Sequence, residues 1–264
     1  MSSSTAAARR LATGEAIGVS LAEEAAIAVS YDGTTHAVLM GTPDDLEDFA
    51  YGFSLTEGIA DPNEIEAVTP EKTALGIDLR IWLKPDAGQR FIARRRRTVG
   101  PVGCGLCGVE TLEAAMRVLE PVTGDCVITA SDLDTAIVAM SDGQALRDAT
   151  GATHGAGFYV PGEGLVALRE DVGRHNALDK LAGSLIRGGQ TALFAHGAAI
   201  MTSRISVDLV QKTAAMGVPV LIALSAPTTA AVAAARSAGI GLVTRARTAA
   251  NAEILCRPDR FGLD

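Results

Sequence analysis

The chain has no excess of positive charge: 23 lysines and arginines stand against 31 aspartates and glutamates, a formal net charge of −8 over 264 residues. That balance argues against general binding to nucleic acid or to an anionic membrane surface, since both need a positive face. No apolar run reaches the roughly 18 residues of a membrane span. The best one, Thr191 to Met201, is broken by His196. Arg9 and Arg10 near the start are followed by no long apolar run, so the N-terminus does not read as a secretory signal. Four cysteines are too few for a disulfide scaffold, and two of them form a Cys-x-x-Cys. No internal repeat is visible. What is present is a 48% apolar composition with 28 glycines, enough for one large or two small domains with a buried core. The expectation is a soluble, cytoplasmic protein of α/β type.

Residues 1–20 are rich in serine and alanine and lack a period, which predicts a mobile tail. Ala25 to Val29, Asp32-Gly33 and Thr35 to Met40 then read as a hairpin with an Asp-Gly turn. A helix is expected next, capped by Thr42 with Pro43 at its first position and Leu46, Phe49, Ala50 and Phe53 on one face. Ile77, Leu79, Ile81 and Leu83 alternate as a half-buried strand does. Gln89 to Gly103 has no clean period and reads as a loop, before Leu112, Ala115, Met116 and Leu119 restore helical spacing. Ser131 opens a further helix carrying Leu133, Ala136, Ile137 and Met140.

From about residue 150 the pattern is regular. A hairpin (Phe158 to Val160, Leu165 to Leu168) precedes alternating helices and strands at Asn176–Ile186, Thr191–Ala195, Ser206–Met216, Val218–Leu224, Thr228–Ser237 and Ile240–Thr244. Such alternation predicts crossovers and a mostly parallel sheet. The division expected is a tail (1–20), an N-terminal β-containing subdomain holding the Cys-x-x-Cys loop (21–125) and a layered α/β/α domain (126–264).

The sharpest chemical signal is Gly103-Cys104-Gly105-Leu106-Cys107-Gly108. Two thiols three apart serve metal ligation, dithiol redox chemistry or carriage of sulfur as a persulfide; the bland reading is two small apolar fillers. Flanking glycines let a loop expose a thiol and let a bulky partner approach. Structural zinc needs a second ligand pair, but Cys126 and Cys256 are singletons. A zinc deaminase needs His-x-Glu, whereas His196 is followed by Gly197-Ala198. No early βαβ pattern surrounds the pair, which weakens a thioredoxin-like reading.

A second signal is the segment Glu170 to Lys180, Glu-Asp-Val-Gly-Arg-His-Asn-Ala-Leu-Asp-Lys, at the opening of a helix. Arg174, His175 and Asn176 there could hold an anionic or nucleotide-like ligand. A buried network in which Asp171 pairs with Arg174 explains the same residues, and both readings stay open. The glycine-rich Thr150 to Gly157 contains His154 but matches neither a P-loop nor a dinucleotide fingerprint. Thr202 to Ser206, with Arg204, and Ser225 to Thr229 each follow a strand and precede a helix, the place where open α/β sheets bind ligands, although their hydroxyls can equally cap helices. The run Arg94 to Arg97 reads as a solvated loop or as a dock for an acidic partner or a pyrophosphate.

Taken together, these blocks resemble the formate dehydrogenase accessory sulfurtransferases, the FdhD family. The resemblance rests on Gly52 to Ile59, the Cys-Gly-Leu-Cys-Gly loop, Thr150 to His154, Glu170 to Lys180, Ser203 to Ser206 with Gln211-Lys212, and Ser225 to Thr228. It implies a three-layer α/β/α sandwich of cytidine-deaminase-like type without the deaminase metal. It also implies sulfurtransferase activity: sulfur is accepted as a persulfide from a cysteine desulfurase and passed to the molybdenum (or tungsten) bis(molybdopterin guanine dinucleotide) cofactor used by formate dehydrogenase. By this resemblance Cys104 carries the persulfide, with Cys107 as its partner. Cofactor contacts fall on Arg245, Ala246, Arg247, Thr248, Ala249 and Ala250, together with His154, Arg174, His175, Asn176, Arg204 and Ser225. A guanine nucleotide such as GDP serves as a surrogate ligand, and a homodimer is expected. The chain departs from the family pattern at Ala152, at Thr202-Ser203 and at Arg245, which replaces an aromatic residue near the guanine contact. Two other classes stay in view: a cofactor-binding chaperone without sulfur transfer, and a zinc-stabilised interaction protein.

Overall fold

The computed structural model describes residues 2–95 and 119–263, with backbone alone for 94 and 95. The first surprise lies in the segment read as a tail. Ser3–Arg9 (β1) and Ala16–Ala22 (β2) pair as an antiparallel hairpin. Strand β1 is alanine-rich and carries no β-branched alternation, whereas β2 does alternate at Ile17, Val19 and Leu21, a signal the reading as a tail passed over.

Ala25–Tyr31 (β3) and Thr34–Gly41 (β4) form the hairpin predicted around Asp32-Gly33, both residues with positive φ. Ile65–Thr73 (β5) and Gly76–Leu83 (β6) complete a four-stranded sheet of order β4-β3-β6-β5. Leu46–Thr56 (α1) and Pro85–Arg95 (α2) cover one face of it, closing a core of Ile27, Val29, Phe49, Phe53, Leu79 and Phe91. Two corrections follow. Helix α1 starts at Leu46 rather than beside Thr42, and residues 89–95, read as loop, continue helix α2. The predicted helical face at Leu112, Ala115 and Met116 lies outside the described residues, as do Cys104 and Cys107.

Ala130–Gly143 (α3) begins one residue earlier than expected. Thr129 is its cap and Asp132 returns the bond to the Thr129 amide. After Ala145–Thr150 (α4) come His154–Val160 (β7), Gly164–Asp171 (β8), Arg174–Arg187 (α5), Ala198–Met201 (β9), Val207–Ala215 (α6), Val220–Ala223 (β10), Thr229–Ser237 (α7), Gly241–Thr244 (β11) and Glu253–Cys256 (β12). These strands form one sheet of order β12-β11-β10-β9-β7-β8. Only β9-β10 and β10-β11 are parallel, so the sheet is mixed rather than mostly parallel. Thr191 to Ala195, read as a strand, belongs to a 3-10 turn over Thr191–His196, and the strand it was taken for lies at 198–201.

Alternate residues of the central strands feed two cores. Ala199, Met201, Leu221, Ala223 and Leu242 face α5, α6 and α7. Ala198, Ile200, Val220, Ile222 and Val243 face α3 and the C-terminal turn. Helix, sheet and helix are therefore stacked in three layers, with β9 and β10 buried on both sides. The N-terminal sheet joins this body through α1 against α5. The backbones touch there: a Cβ on Gly52 would overlap the carbonyl of Asp179, and one on Gly183 would overlap the carbonyl of Asp48.

Candidate functional site

The parallel strands β9, β10 and β11 end on the same side, and β7 begins there because it runs antiparallel to β9. The loops beyond these ends are stitched into one ledge. Thr202 donates its amide to Gly155 (3.1 Å), and its hydroxyl accepts the Gly155 amide (2.9 Å). Across the next pair of loops Ile205 donates its amide to Ala226 (3.2 Å) and accepts that of Thr228 (2.9 Å), and Arg245 donates its amide to Ser225 (3.0 Å). His154, Arg204, Ser225 and Arg245 to Ala250 thus line one carboxyl edge, and β8 delivers Arg174 and His175 to it through Asp171, the register partner of His154.

The segment 170–180 divides between two environments. Asp171 is buried and makes a 2.6 Å ion pair with Lys180, not with Arg174. It also accepts the amides of Thr42 (3.1 Å) and Gly173 (2.7 Å), and Lys180 donates to the Thr42 carbonyl. Thr42 is thereby diverted from capping α1; its hydroxyl accepts the Val172 amide instead. Asn176 donates to the Met40 carbonyl (2.9 Å) and to Asp171 (3.1 Å), which ties it to the same buried network rather than to the open edge.

One turn further on, Asp179 holds Lys212 through both carboxylate oxygens at 2.9 Å, and Thr56 and Glu57 complete the cluster. Burial pulls the Lys212 ammonium towards neutrality, but Asp179 and Glu57 outweigh it and raise its pKa above the ordinary lysine value. Sequence reading missed Asp179–Lys212 because its partners lie 33 residues apart.

On the edge itself, His175 pairs through Nε2 with Asp208 in the first turn of α6. Burial pushes the Asp208 carboxyl up, yet His175 and Ser206 hold it well below the usual carboxylate range. Asp208 had no signal beyond an acidic residue near a helix start, which ordinarily means a cap. His154 is half-buried; burial, then Arg174 and His175, pull its pKa below the ordinary histidine value, and Asp171 opposes them. The Nε of Arg174 is shut off from water and has no hydrogen-bond partner among the described residues.

Along the rest of the edge, Arg204 and Arg247 are exposed and Ser225 is half-buried. The Ser203 hydroxyl donates to the Arg204 carbonyl, and Thr228 caps α7 by accepting the Ala231 amide. Arg245 takes a left-handed backbone (φ 50°) and reaches Glu253 at 3.2 Å. Ala246 is buried beneath it, donating its amide to Ala223. Thr248 precedes the turn Ala249–Asn251, whose first amide is taken by Asp134 of α3, leaving Ala250 exposed. The edge therefore offers four arginines, two histidines and several hydroxyls in one line, chemistry suited to an anionic, polyhydroxylated ligand. Among the described residues, no group of three or more metal-ligating side chains comes together.

Of the four cysteines, two are described. Burial pushes the Cys126 thiol up to about 12, and it raises that of Cys256 as well. Neither is poised to act as a thiolate.

Comparison with known proteins follows the same outline. A relative from Agrobacterium fabrum, named "Sulfur carrier protein FdhD", is 49% identical over 252 residues, covering 95% of this chain and 91% of its own. One of the same name from Cupriavidus necator is 45% identical and covers 91% and 83%. A crystal structure of a candidate formate dehydrogenase accessory protein from Desulfotalea psychrophila superposes with a TM-score of 0.74 at 21% identity, covering 98% of each chain; it speaks to the fold. Residues 22–261 match the FdhD/NarQ family, and the chain belongs to that family.

Proposed function

We propose that this chain is a sulfur carrier in formate dehydrogenase maturation. The observation that carries the reading is a division among its thiols. Cys126 and Cys256 are buried and held protonated, so thiolate chemistry falls to the Cys104–Cys107 pair, in a chain whose relatives are named sulfur carriers. In this reading the Cys104 thiolate attacks the outer sulfur of a cysteine desulfurase persulfide. The donor's S–S bond breaks, the donor leaves as a thiolate, and Cys104 keeps the sulfur. Delivery as sulfide needs two electrons, and Cys107 supplies them: its thiolate attacks the Cys104 sulfur, the outer sulfur leaves with the electron pair, and a Cys104–Cys107 disulfide remains. In this reading the chain is a sulfurtransferase, and we place it in the cytoplasm as a homodimer.

The acceptor in this proposal is the molybdenum bis(molybdopterin guanine dinucleotide) cofactor, handled as cargo. Arg174, Arg204, Arg245 and Arg247 would meet its phosphates, and Ser225 with the 245–250 turn its guanine end, the part for which GDP is a surrogate. The test is intact-protein mass after incubation with a cysteine desulfurase and cysteine. A reducible gain of roughly 32 Da, lost in Cys104→Ala, is the expected result. No gain, with GDP still bound, would instead make the chain a cofactor chaperone.

A further inference from the structure

None of residues 2–22 is buried. Strands β1 and β2 pair only with each other, and a lone two-stranded ribbon is marginally stable in water. It is moored at one end, where Ser2 donates its amide (2.7 Å) and its hydroxyl (2.6 Å) to Asp44 and accepts the Glu23 amide (2.9 Å). The cross-strand register gives the ribbon two unlike faces. Ser3, Thr5, Ala7 and Arg9, opposite Ala22, Ser20, Gly18 and Ala16, make a face of small and polar groups. Ala6 and Ala8 opposite Val19 and Ile17, with Ser4 opposite Leu21, make an apolar stripe on which Leu21 is 48% exposed. Charge is spread unevenly along the ribbon as well. Its tip carries Arg9 and Arg10 against Glu15 alone, with Arg10 and Glu15 at 3.2 Å. Its moored end carries the exposed Glu23 and Glu24 together with Asp44. Asp45 is answered by Arg169 at 3.5 Å, and α4, which touches β2, adds one charge of each sign, Arg147 and Asp148.

We propose that this ribbon is an interface between two copies of the chain, stacked apolar face on apolar face and antiparallel about a two-fold axis. The proposal deepens the homodimer reading above by naming its surface. Antiparallel stacking lays the basic tip of each ribbon over the acidic end of the other, so the favourable contact is made twice in every pair. Parallel stacking would set tip against tip and acid against acid. The occupant is a second copy because a single ribbon holds both members of the charge pair with the apolar stripe between them. Stacking also takes out of water the stripe that a lone ribbon leaves wet, which turns a marginal hairpin into half of a packed four-stranded unit.

The experiment is sedimentation equilibrium of the full chain, of Arg9→Glu with Arg10→Glu, and of Glu23→Lys with Glu24→Lys. Each double variant sets like charges against each other at both ends of a homodimer and should raise the dimer dissociation constant at least about tenfold. A mixture of the two restores opposite charges at both ends, so mixing should bring the dimer back. Loss in each variant without recovery on mixing overturns the antiparallel arrangement. Wild type and both variants dimerising equally well places the two-fold contact elsewhere and overturns the proposal, while the homodimer reading stands. A wild type that stays monomeric removes that reading and the proposal together. Wild type also gives an answer that needs no variant: its dissociation constant should rise about tenfold between roughly 0.05 and 0.5 M salt, and a dimer indifferent to salt overturns the charge pairing.

Discussion

Within ten residues, 171–180, the chain treats charge in two opposite ways. On the inner side, Asp171, Asn176, Asp179 and Lys180 are buried, and each is matched: ion pairs at 2.6 and 2.9 Å, with hydrogen bonds to the backbone of residues 40–42. On the outer side, Arg174 keeps a nitrogen without a partner, and His175 turns to Asp208 on a different helix. A buried charge must be matched within the protein, because nothing else will match it. A charge at an open edge can be left for a ligand to match. The contrast separates what holds α5 against β4 and the residues after it from what is left facing the carboxyl edge, although both sets come from one continuous motif.

The comparison can be broken most forcefully from the inside. Lys180→Met leaves Asp171 buried without its counter-ion and should cost about 3–5 kcal/mol, read as a lowered urea midpoint. A loss under about 1 kcal/mol would mean that the inner side is as tolerant as a surface. Next is the seam that carries these pairs. Gly183→Ala forces a methyl into the Asp48 carbonyl and should cost about 3 kcal/mol by parting α1 from α5. A neutral result would show that the two helices slide freely. The smallest effect on folding should come from the outer side. Arg174→Gln should leave the urea midpoint within about 0.5 kcal/mol yet weaken pyrophosphate or GDP binding about tenfold. A large fall in stability with unchanged binding would reverse the assignment of the two sides.

Much of this was legible beforehand because it is periodic. The alternation of Ile77, Leu79, Ile81 and Leu83, the apolar run at Val218 to Leu224 and the loops after β9 and β10 follow from local pattern, and pattern placed those loops at the carboxyl ends of the strands. What the pattern missed depends on distant partners. Thr42 has every local feature of a helix cap and serves Asp171 and Val172 instead, about 130 residues away. Residues 191–195 are as apolar as a strand but turn as a 3-10 helix just before one. Glu253–Cys256 is only four residues long and is recruited by β11. The split of Asn176 from Arg174 and His175 is likewise tertiary, since neighbouring positions on a helix face different ways.

The burial of Cys126 and Cys256 has a practical side. Thiols that are both sheltered and protonated react slowly with maleimides and iodoacetamide at neutral pH. For a chemist, then, Cys126 and Cys256 add little background to a rapid alkylation of this protein, and a fluorophore aimed at any other thiol can be installed without mutating either of them away.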